Sequence, residues 1–117
     1  MLRIEHLTKT YPGGKTAVRD LSLHVCPGDI TGFIGHNGAG KTTTIKAAVG
    51  ILEFDEGEIF IDGIPMRQDP LACKQKLAYI PDNPDLYPYL TGIQYLNFVA
   101  DLFGVSARDR SARVERY

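Results

Sequence analysis

The chain contains no tryptophan and only two cysteines, Cys26 and Cys73, among its 117 residues. The two thiols are far apart and show neither a CxxC spacing nor a neighbouring cluster of histidines. Disulfide-stabilised secreted domains and zinc sites both need closely patterned cysteines. The scarcity of cysteine therefore argues against both kinds of protein and is typical of a reducing, cytosolic environment.

An excess of charge of either sign is also missing, since 13 basic residues stand against 14 acidic ones. A nucleic-acid-binding protein usually shows a basic stripe along one face. The one local excess here comprises Arg108, Arg110, Arg113 and Arg116, beside Asp109 and Glu115. Because acidic residues interrupt these arginines, we interpret the segment as a solvated helix face and predict no nucleic-acid partner.

Long apolar runs are absent as well. No stretch approaches the roughly 18 consecutive apolar residues of a membrane-spanning helix, and the first residues lack the apolar run of a secretory signal. The sequence therefore predicts a soluble chain, or one held at a membrane by a partner.

Alternating apolar and polar residues predict several β-strands. Residues 2–7 and 18–25 alternate in this way and are predicted to form an antiparallel pair. Residues 58–61 precede Asp62-Gly63, a dipeptide that tolerates the positive φ angles of a tight hairpin turn. Two short apolar runs, 30–34 and 77–80, are typical of strands buried on both faces of a sheet.

Helical spacing of apolar residues recurs in four places. Helices are predicted from Lys41 to about Gly50, over 70–77, from Thr91 to about Phe103, and over 106–117. Thr91 and Gln94 match a capping box. The last helix has a thin apolar face, and the proline-rich residues 82–89 are predicted to form an irregular loop.

A glycine-rich loop joins the apolar run 30–34 to the first predicted helix. Glycines at positions 35, 38 and 40 let successive backbone N–H groups point inward as a nest for phosphate oxygens. The positive end of the helix dipole adds to this attraction. The alternative interpretation is a glycine-rich turn that happens to precede a lysine.

Two side chains complete the predicted phosphate site. Lys41 is positioned to reach the β and γ phosphates of a nucleotide, and the hydroxyl of Thr42 suits Mg²⁺, a hard cation that prefers oxygen ligands. The whole predicted phosphate-binding set is Gly35, Asn37, Gly38, Ala39, Gly40, Lys41, Thr42 and Thr43. No chemistry is predicted for the side chains of His36 and Asn37.

The residues Gly35-His36-Asn37-Gly38-Ala39-Gly40-Lys41-Thr42-Thr43 resemble the Walker A loop of the ATP-binding cassette (ABC) transporter family. Leu7-Thr8-Lys9-Thr10-Tyr11, Ala17-Val18, Asp20-Leu21-Ser22-Leu23, Gly57-Glu58-Ile59 and Asp62-Gly63 look like that family's flanking strands. The resemblance implies that Tyr11 stacks on adenine and that Thr43 contacts the α phosphate. From the residues alone, Tyr11 is equally a half-buried residue at a strand end.

The resemblance covers the whole chain and implies its fold. We expect an α/β P-loop NTPase, namely the N-terminal part of an ABC nucleotide-binding domain. It would comprise an antiparallel β subdomain with the start of the parallel core sheet, at about 1–81, and a Q-loop-like segment with the start of the helical subdomain, at about 82–117.

One position departs from the family pattern. The family commonly carries a glutamine after the strand that ends here at Ile80-Pro81, whereas this chain has Asp82. An aspartate supplies an oxygen to Mg²⁺ but donates no hydrogen bond when ionised. Asp82 is therefore a hypothetical Mg²⁺ ligand, and the alternative is that it caps a proline-rich turn.

Aromatic residues follow this position. Tyr87, Tyr89 and Tyr95 fall in the segment that, in the family, leads into the helical subdomain and receives the membrane partner. They are hypothetical docking residues, and the alternative is that they pack within the loop or the core.

The family's LSGGQ signature, its Walker B aspartate with the following glutamate, and its switch histidine do not occur in these 117 residues. No complete catalytic set is therefore predicted. The resemblance implies an ATPase subunit that binds ATP and Mg²⁺, pairs with a second ATP-binding subunit as a homodimer or heterodimer, and powers a membrane permease of exporter-like type from its cytoplasmic face.

Without the catalytic motifs, we expect these residues to bind nucleotide better than they hydrolyse it. A non-hydrolysing nucleotide-binding or interaction module is the alternative function. An unrelated phosphate-loop kinase or GTPase is the third hypothesis, against which Tyr11 and Asp62-Gly63 argue.

Overall fold

A computed structural model of the chain describes residues 1–83 and 87–116. These residues divide into two units, Met1–Tyr79 and the residues from Ile80 onward. The first unit contains all four described strands and two helices, and the second contains two further helices.

The first unit is built on one antiparallel sheet with the strand order β2-β1-β3-β4. β1 spans Leu2–Thr10, β2 Thr16–Val25, β3 Glu56–Ile61 and β4 Ile64–Pro65. The register places Ile4 opposite Leu23 of β2 and opposite Ile59 of β3. The predicted antiparallel pairing of the first two strands is confirmed.

A two-residue turn joins β3 to β4. Asp62 and Gly63 both have positive φ, at 49° and 80°, which is the requirement of the hairpin turn whose twist matches the flanking strands. The hairpin predicted from this dipeptide is confirmed. The carboxylate of Asp62 also accepts a hydrogen bond from the amino group of Met1 at 2.8 Å, so the turn holds the start of β1.

Helix α1, Lys41–Ala48, packs its buried Ala47 and Ala48 into the core formed by the sheet. Helix α2, Pro70–Lys74, begins at Asp69, whose side chain accepts a hydrogen bond from the Ala72 N–H at 3.0 Å. Both helices are shorter than predicted. The buried residues of the core are Ile4, Leu7, Val18, Ala47, Ala48, Ile59, Ile61, Met66 and Cys73.

The two runs predicted as buried strands are not strands in this structure. Residues 30–34 and 77–80 have no regular secondary structure, and Ile30, Ile34 and Ile80 are 103%, 94% and 90% exposed. Those two predictions were wrong. A strand buried on both faces needs neighbours to pair with and helices to cover it, and no described strand pairs with either run.

The second unit contains α3, Gly92–Leu102, and α4, Ala107–Arg116. The capping box predicted at the start of α3 is confirmed, since Thr91 and Gln94 exchange side-chain and backbone hydrogen bonds. Arg110 on α4 forms an ion pair with Asp101 on α3. Of the helices in the described ranges, none is long and apolar enough to cross a membrane.

Candidate phosphate-binding site

The glycine-rich loop folds as a tight turn in front of α1. The Ala39 N–H donates to the His36 carbonyl at 3.2 Å, and Gly38, the third residue of this turn, has φ +83°. Asn37 is not among the residues with positive φ. Positive φ at the third position alone is the mark of a type II turn.

Gly40 fixes the position of the loop against β2. Its φ is +88°, and a Cβ at this position would lie 2.4 Å from the Ala17 carbonyl oxygen and 3.0 Å from Cγ2 of Val18. No side chain fits so close to a backbone oxygen. The absence of a side chain at Gly40 therefore lets the sheet support the loop and the first turn of α1.

The N-terminus of α1 carries no compensating negative group. Gly40 provides no side-chain cap, and the first turn contains no acidic residue. The first N–H groups of a helix have no partner within the helix, and they carry its positive partial charge. Such a helix end attracts anions. The side chain of Thr42, in the same turn, is exposed.

The ammonium group of Lys41 lies across the loop. Its Nζ donates hydrogen bonds to the Gly35 carbonyl and, at 2.8 Å, to the His36 carbonyl. Among the described residues, no carboxylate forms an ion pair with it. A full positive charge therefore stands beside the loop glycines and the positive end of α1.

The structure brings Tyr11 to the same place from the far end of β1. Its hydroxyl lies 3.3 Å from Oγ1 of Thr43, in the first turn of α1. The ring is partly exposed, and the Lys9 ammonium lies 5.9 Å from its centroid. Two sequence-predicted site residues, 32 positions apart in the chain, are therefore in contact.

Asp55 holds the strand end that carries Tyr11. Its carboxylate accepts hydrogen bonds from the Thr10 N–H at 2.6 Å and from Nζ of Lys9 at 3.3 Å. The backbone hydrogen bond, aided by Lys9 and Arg67, lowers the pKa of the Asp55 carboxyl below its ordinary value. Asp55 thus positions the candidate site without belonging to it, a role that the sequence analysis missed.

His36 has a side-chain contact that the sequence analysis did not predict. Its Nδ1 lies 2.8 Å from the carbonyl oxygen of Asn37, the next residue. Because a carbonyl only accepts, the ring nitrogen is the donor in this hydrogen bond. No signal in the sequence alone distinguishes this arrangement from a solvated histidine.

Asp82 lies in the second unit, in the exposed segment after Pro81. Residues 84–86 of the predicted proline-rich loop lie outside the described ranges. Within those ranges, no group of three or more His, Cys, Asp or Glu residues is arranged to hold a metal ion. A role for Asp82 as a Mg²⁺ ligand stays a prediction.

Tyr87, Tyr89 and Tyr95 form an aromatic cluster with Phe98 in the second unit. The ring of Tyr87 lies 5.8 Å from Tyr89, 6.4 Å from Tyr95 and 5.9 Å from Phe98, the last in an edge-on arrangement. Tyr89 nevertheless remains 77% exposed. The rings thus pack against one another, and docking of a membrane partner stays a prediction for Tyr87, Tyr89 and Tyr95.

The family model described as ABC transporter matches residues 18–116. The chain is 39% identical over 114 residues to the choline transport ATP-binding protein OpuBA of Bacillus subtilis. It is 37% identical over 114 residues to the SkfA peptide export ATP-binding protein SkfE of the same organism.

A solved structure of the ATP binding subunit of an ABC transporter matches with a TM-score of 0.85 and 34% identity, covering 92% of this chain and 45% of that one. Both sequence alignments cover 97% of this chain, but only 30% of OpuBA and 46% of SkfE. The chain thus spans less than half the length of each of these three proteins. The match confirms the predicted fold class.

Proposed function

Because this chain belongs to the ABC transporter ATP-binding family, we propose that its glycine-rich loop binds the phosphates of ATP together with Mg²⁺. The observation that supports this most directly is the Lys41 ammonium, which forms no ion pair with a carboxylate in the part of the chain that the structure describes and lies beside the uncapped N-terminus of α1. Backbone N–H groups, a helix dipole and a lysine together fit a polyphosphate, because each attracts or hydrogen-bonds anionic oxygen.

Each predicted residue has a role in this proposal. The N–H groups of the loop glycines and Asn37 surround the phosphate oxygens, and Ala39 contributes through the turn that its N–H closes on the His36 carbonyl. Lys41 exchanges its carbonyl partners for the β and γ phosphates, and Thr43 contacts the α phosphate. Thr42 presents its hydroxyl to Mg²⁺, which neutralises phosphate charge when bound. Tyr11 stacks on the adenine, supported by its position next to Thr43.

For the complete protein, we propose the activity implied by its family: an ATPase subunit that pairs with a second ATP-binding subunit and powers a membrane permease from the cytoplasmic face. Residues 1–81 would supply the β subdomain and phosphate loop, and 82–117 the start of the helical subdomain. The 117 residues carry no motif that orients an attacking water, so we expect binding without appreciable hydrolysis.

The test is isothermal titration of the chain with MgATP and with MgGTP. Lys41→Ala should weaken ATP binding by about tenfold or more, the scale of one charge-assisted hydrogen-bonding group. Lys46→Ala, in the last turn of the same helix, is the matched control and should bind like the parent chain. Equal binding by both variants would contradict the proposal.

Release of inorganic phosphate is measured in parallel. Turnover close to the background rate is the expected result. Robust turnover by these residues alone would show that a carboxylate with no catalytic motif around it is orienting the water.

We further propose that Asp82 contributes an oxygen to the bound Mg²⁺. Asp82→Ala should then reduce the gain in ATP affinity that Mg²⁺ provides, while affinity in the presence of a chelator stays unchanged. Asp82→Asn keeps one oxygen and serves as the matched variant with an intermediate effect. An unaltered Mg²⁺ dependence in Asp82→Ala would leave only the capping role.

A further inference from the structure

We propose that His36 is a positioning residue for the phosphate loop, which its imidazole locks in one peptide orientation. The inference rests on the proposed function of that loop. It starts from the hydrogen bond in which Nδ1 of His36 donates to the Asn37 carbonyl oxygen at 2.8 Å.

The carbonyl that His36 holds belongs to the peptide unit most free to rotate in this turn. The two common turn types differ by about 150° in ψ of the second residue and about 170° in φ of the third. These two changes amount to a flip of the central peptide. Here the central peptide joins Asn37 to Gly38, within the turn closed by the Ala39 N–H and the His36 carbonyl.

Gly38 has no side chain that would oppose this flip. Gly38 adopts φ +83°, and the space where a Cβ would stand contains no atom within 4 Å. A glycine populates positive and negative φ about equally. The preference for one turn type must therefore come from elsewhere, and the His36 hydrogen bond supplies it.

Holding the carbonyl also aims an N–H group. In a planar trans peptide, the C=O of Asn37 and the N–H of Gly38 point in opposite directions. With the carbonyl fixed on the imidazole side, the Gly38 N–H is fixed on the other side, where it is available to a phosphate oxygen. Preorganised donors bind more tightly because the ordering cost is met before the ligand arrives.

Lys41 restrains the first residues of the same loop. Nζ of Lys41 donates hydrogen bonds to the carbonyls of Gly35 and His36. When a nucleotide draws Lys41 away, the His36 imidazole still holds the central peptide. The two side chains are thus separate restraints on one turn.

The hydrogen bond fixes the tautomer of a neutral His36 ring. The proton must be on Nδ1, which leaves Nε2 as an acceptor. Long-range ¹H–¹⁵N spectra of the whole chain distinguish the two nitrogens. The ring is first titrated in the same spectra, and the tautomer is read on the alkaline plateau; a protonated Nδ1 is expected, and a protonated Nε2 would overturn the proposal.

Matched substitutions test the consequence for binding. Asn places an amide nitrogen the same number of bonds from Cα as Nδ1, whereas Leu has a similar branch with no donor. His36→Leu should weaken MgATP binding about three- to tenfold, the range of one lost hydrogen bond, and His36→Asn should stay within about twofold of the parent chain. Equal affinities for Leu and the parent, or equal losses for Leu and Asn, would overturn the proposal.

Thermal unfolding of each variant establishes that it is folded before binding is compared. The outcomes also separate this inference from the proposed function. If the parent chain fails to bind ATP, the proposed function is wrong, whereas the tautomer measurement still decides whether His36 holds the loop peptide.

Discussion

At the scale of single residues, the phenol of Tyr11 and the hydroxyl of Thr43 link the two ends of the proposed nucleotide site. The 3.3 Å separation of their oxygens connects the residue proposed to stack on the base to one proposed to contact the α phosphate. Tyr11 therefore has two separable functions, one for its ring and one for its hydroxyl.

Ligands with and without a base separate these functions. Tyr11→Phe should weaken the binding of ATP and of inorganic triphosphate by the same factor, about two- to threefold, because only the hydroxyl contact to Thr43 is lost. Tyr11→Ala should weaken ATP binding by about a further fivefold or more, the scale of one base–aromatic stack. It should weaken triphosphate binding no further than Tyr11→Phe does, because triphosphate has no base. Competition titrations provide the affinities, with Tyr89→Ala as control; an equal further loss for both ligands would contradict stacking.

Residue-scale geometry is also where prediction from the sequence is weakest. The glycines and Lys41 were recognisable because their spacing carries a mechanism. The Tyr11–Thr43 contact depends on a fold that brings together residues 32 positions apart, and no local pattern encodes it. The hydrogen bond made by His36 is local, but it depends on a rotamer that the sequence does not specify.

At the scale of secondary-structure elements, Asp55 connects the start of β3 to the end of β1. Its N–H donates to the Thr8 carbonyl at 3.0 Å, and its carboxylate accepts from the Thr10 N–H and from Lys9. The side chain thus continues the ladder of the sheet beyond the last backbone pair, next to Tyr11.

Acid should weaken this link. Because the pKa of Asp55 is lowered in the folded chain, its stabilising effect is present above the unfolded-state value of about 3.9 and is lost as the pH falls through the folded-state value. The unfolding temperature should therefore drop between pH 5 and pH 3. Asp55→Asn should have a lower unfolding temperature at pH 6 and a flatter pH dependence.

Glu53→Gln, which removes an exposed carboxyl two positions away in the sequence, is the control for Asp55→Asn. The pKa of Asp62 is also lowered, by the amino group of Met1 and by Lys76, so Asp62 too stabilises the fold less as the pH falls. The unfolding temperature of the parent chain should therefore depend on pH more steeply than Asp55 alone would cause. If Asp55→Asn leaves the pH dependence of the unfolding temperature unchanged, the Asp55 hydrogen bonds do not contribute to stability.

Element prediction succeeded where the signal was local. Asp62-Gly63 encodes its own turn, and Thr91 with Gln94 encodes its own cap. It failed for residues 30–34, because their apolar run indicates burial without supplying a partner. Strand formation is a long-range property, since half of the hydrogen bonds come from another segment.

At the scale of the whole molecule, three isoleucines stand out by their exposure. Ile30 and Ile34 in the first unit and Ile80 in the second are almost fully exposed. Such residues promote association between chains, particularly in extended segments with unsatisfied backbone groups.

A charge at one of these positions should improve solubility without loss of stability. Ile30→Lys should increase the soluble fraction at high concentration and reduce light scattering, while the unfolding temperature of the first unit stays unchanged. Ile59→Lys, at a position with 0% exposure, should prevent folding, because an unpaired buried charge is strongly destabilising. If Ile30→Lys is equally damaging, residue 30 is packed in solution.

The tight approach of Gly40 to β2 has a consequence for how the loop tolerates sequence change. Gly38 needs only a left-handed backbone, a requirement that Asn and Asp meet at modest cost, and its surroundings are open. Gly40 needs that backbone and, in addition, no Cβ at all, because the Ala17 carbonyl occupies the space. We therefore expect different outcomes when both positions are randomised and the variants are selected for folding alone, with no nucleotide present. Position 38 should accept several residues, whereas position 40 should retain glycine.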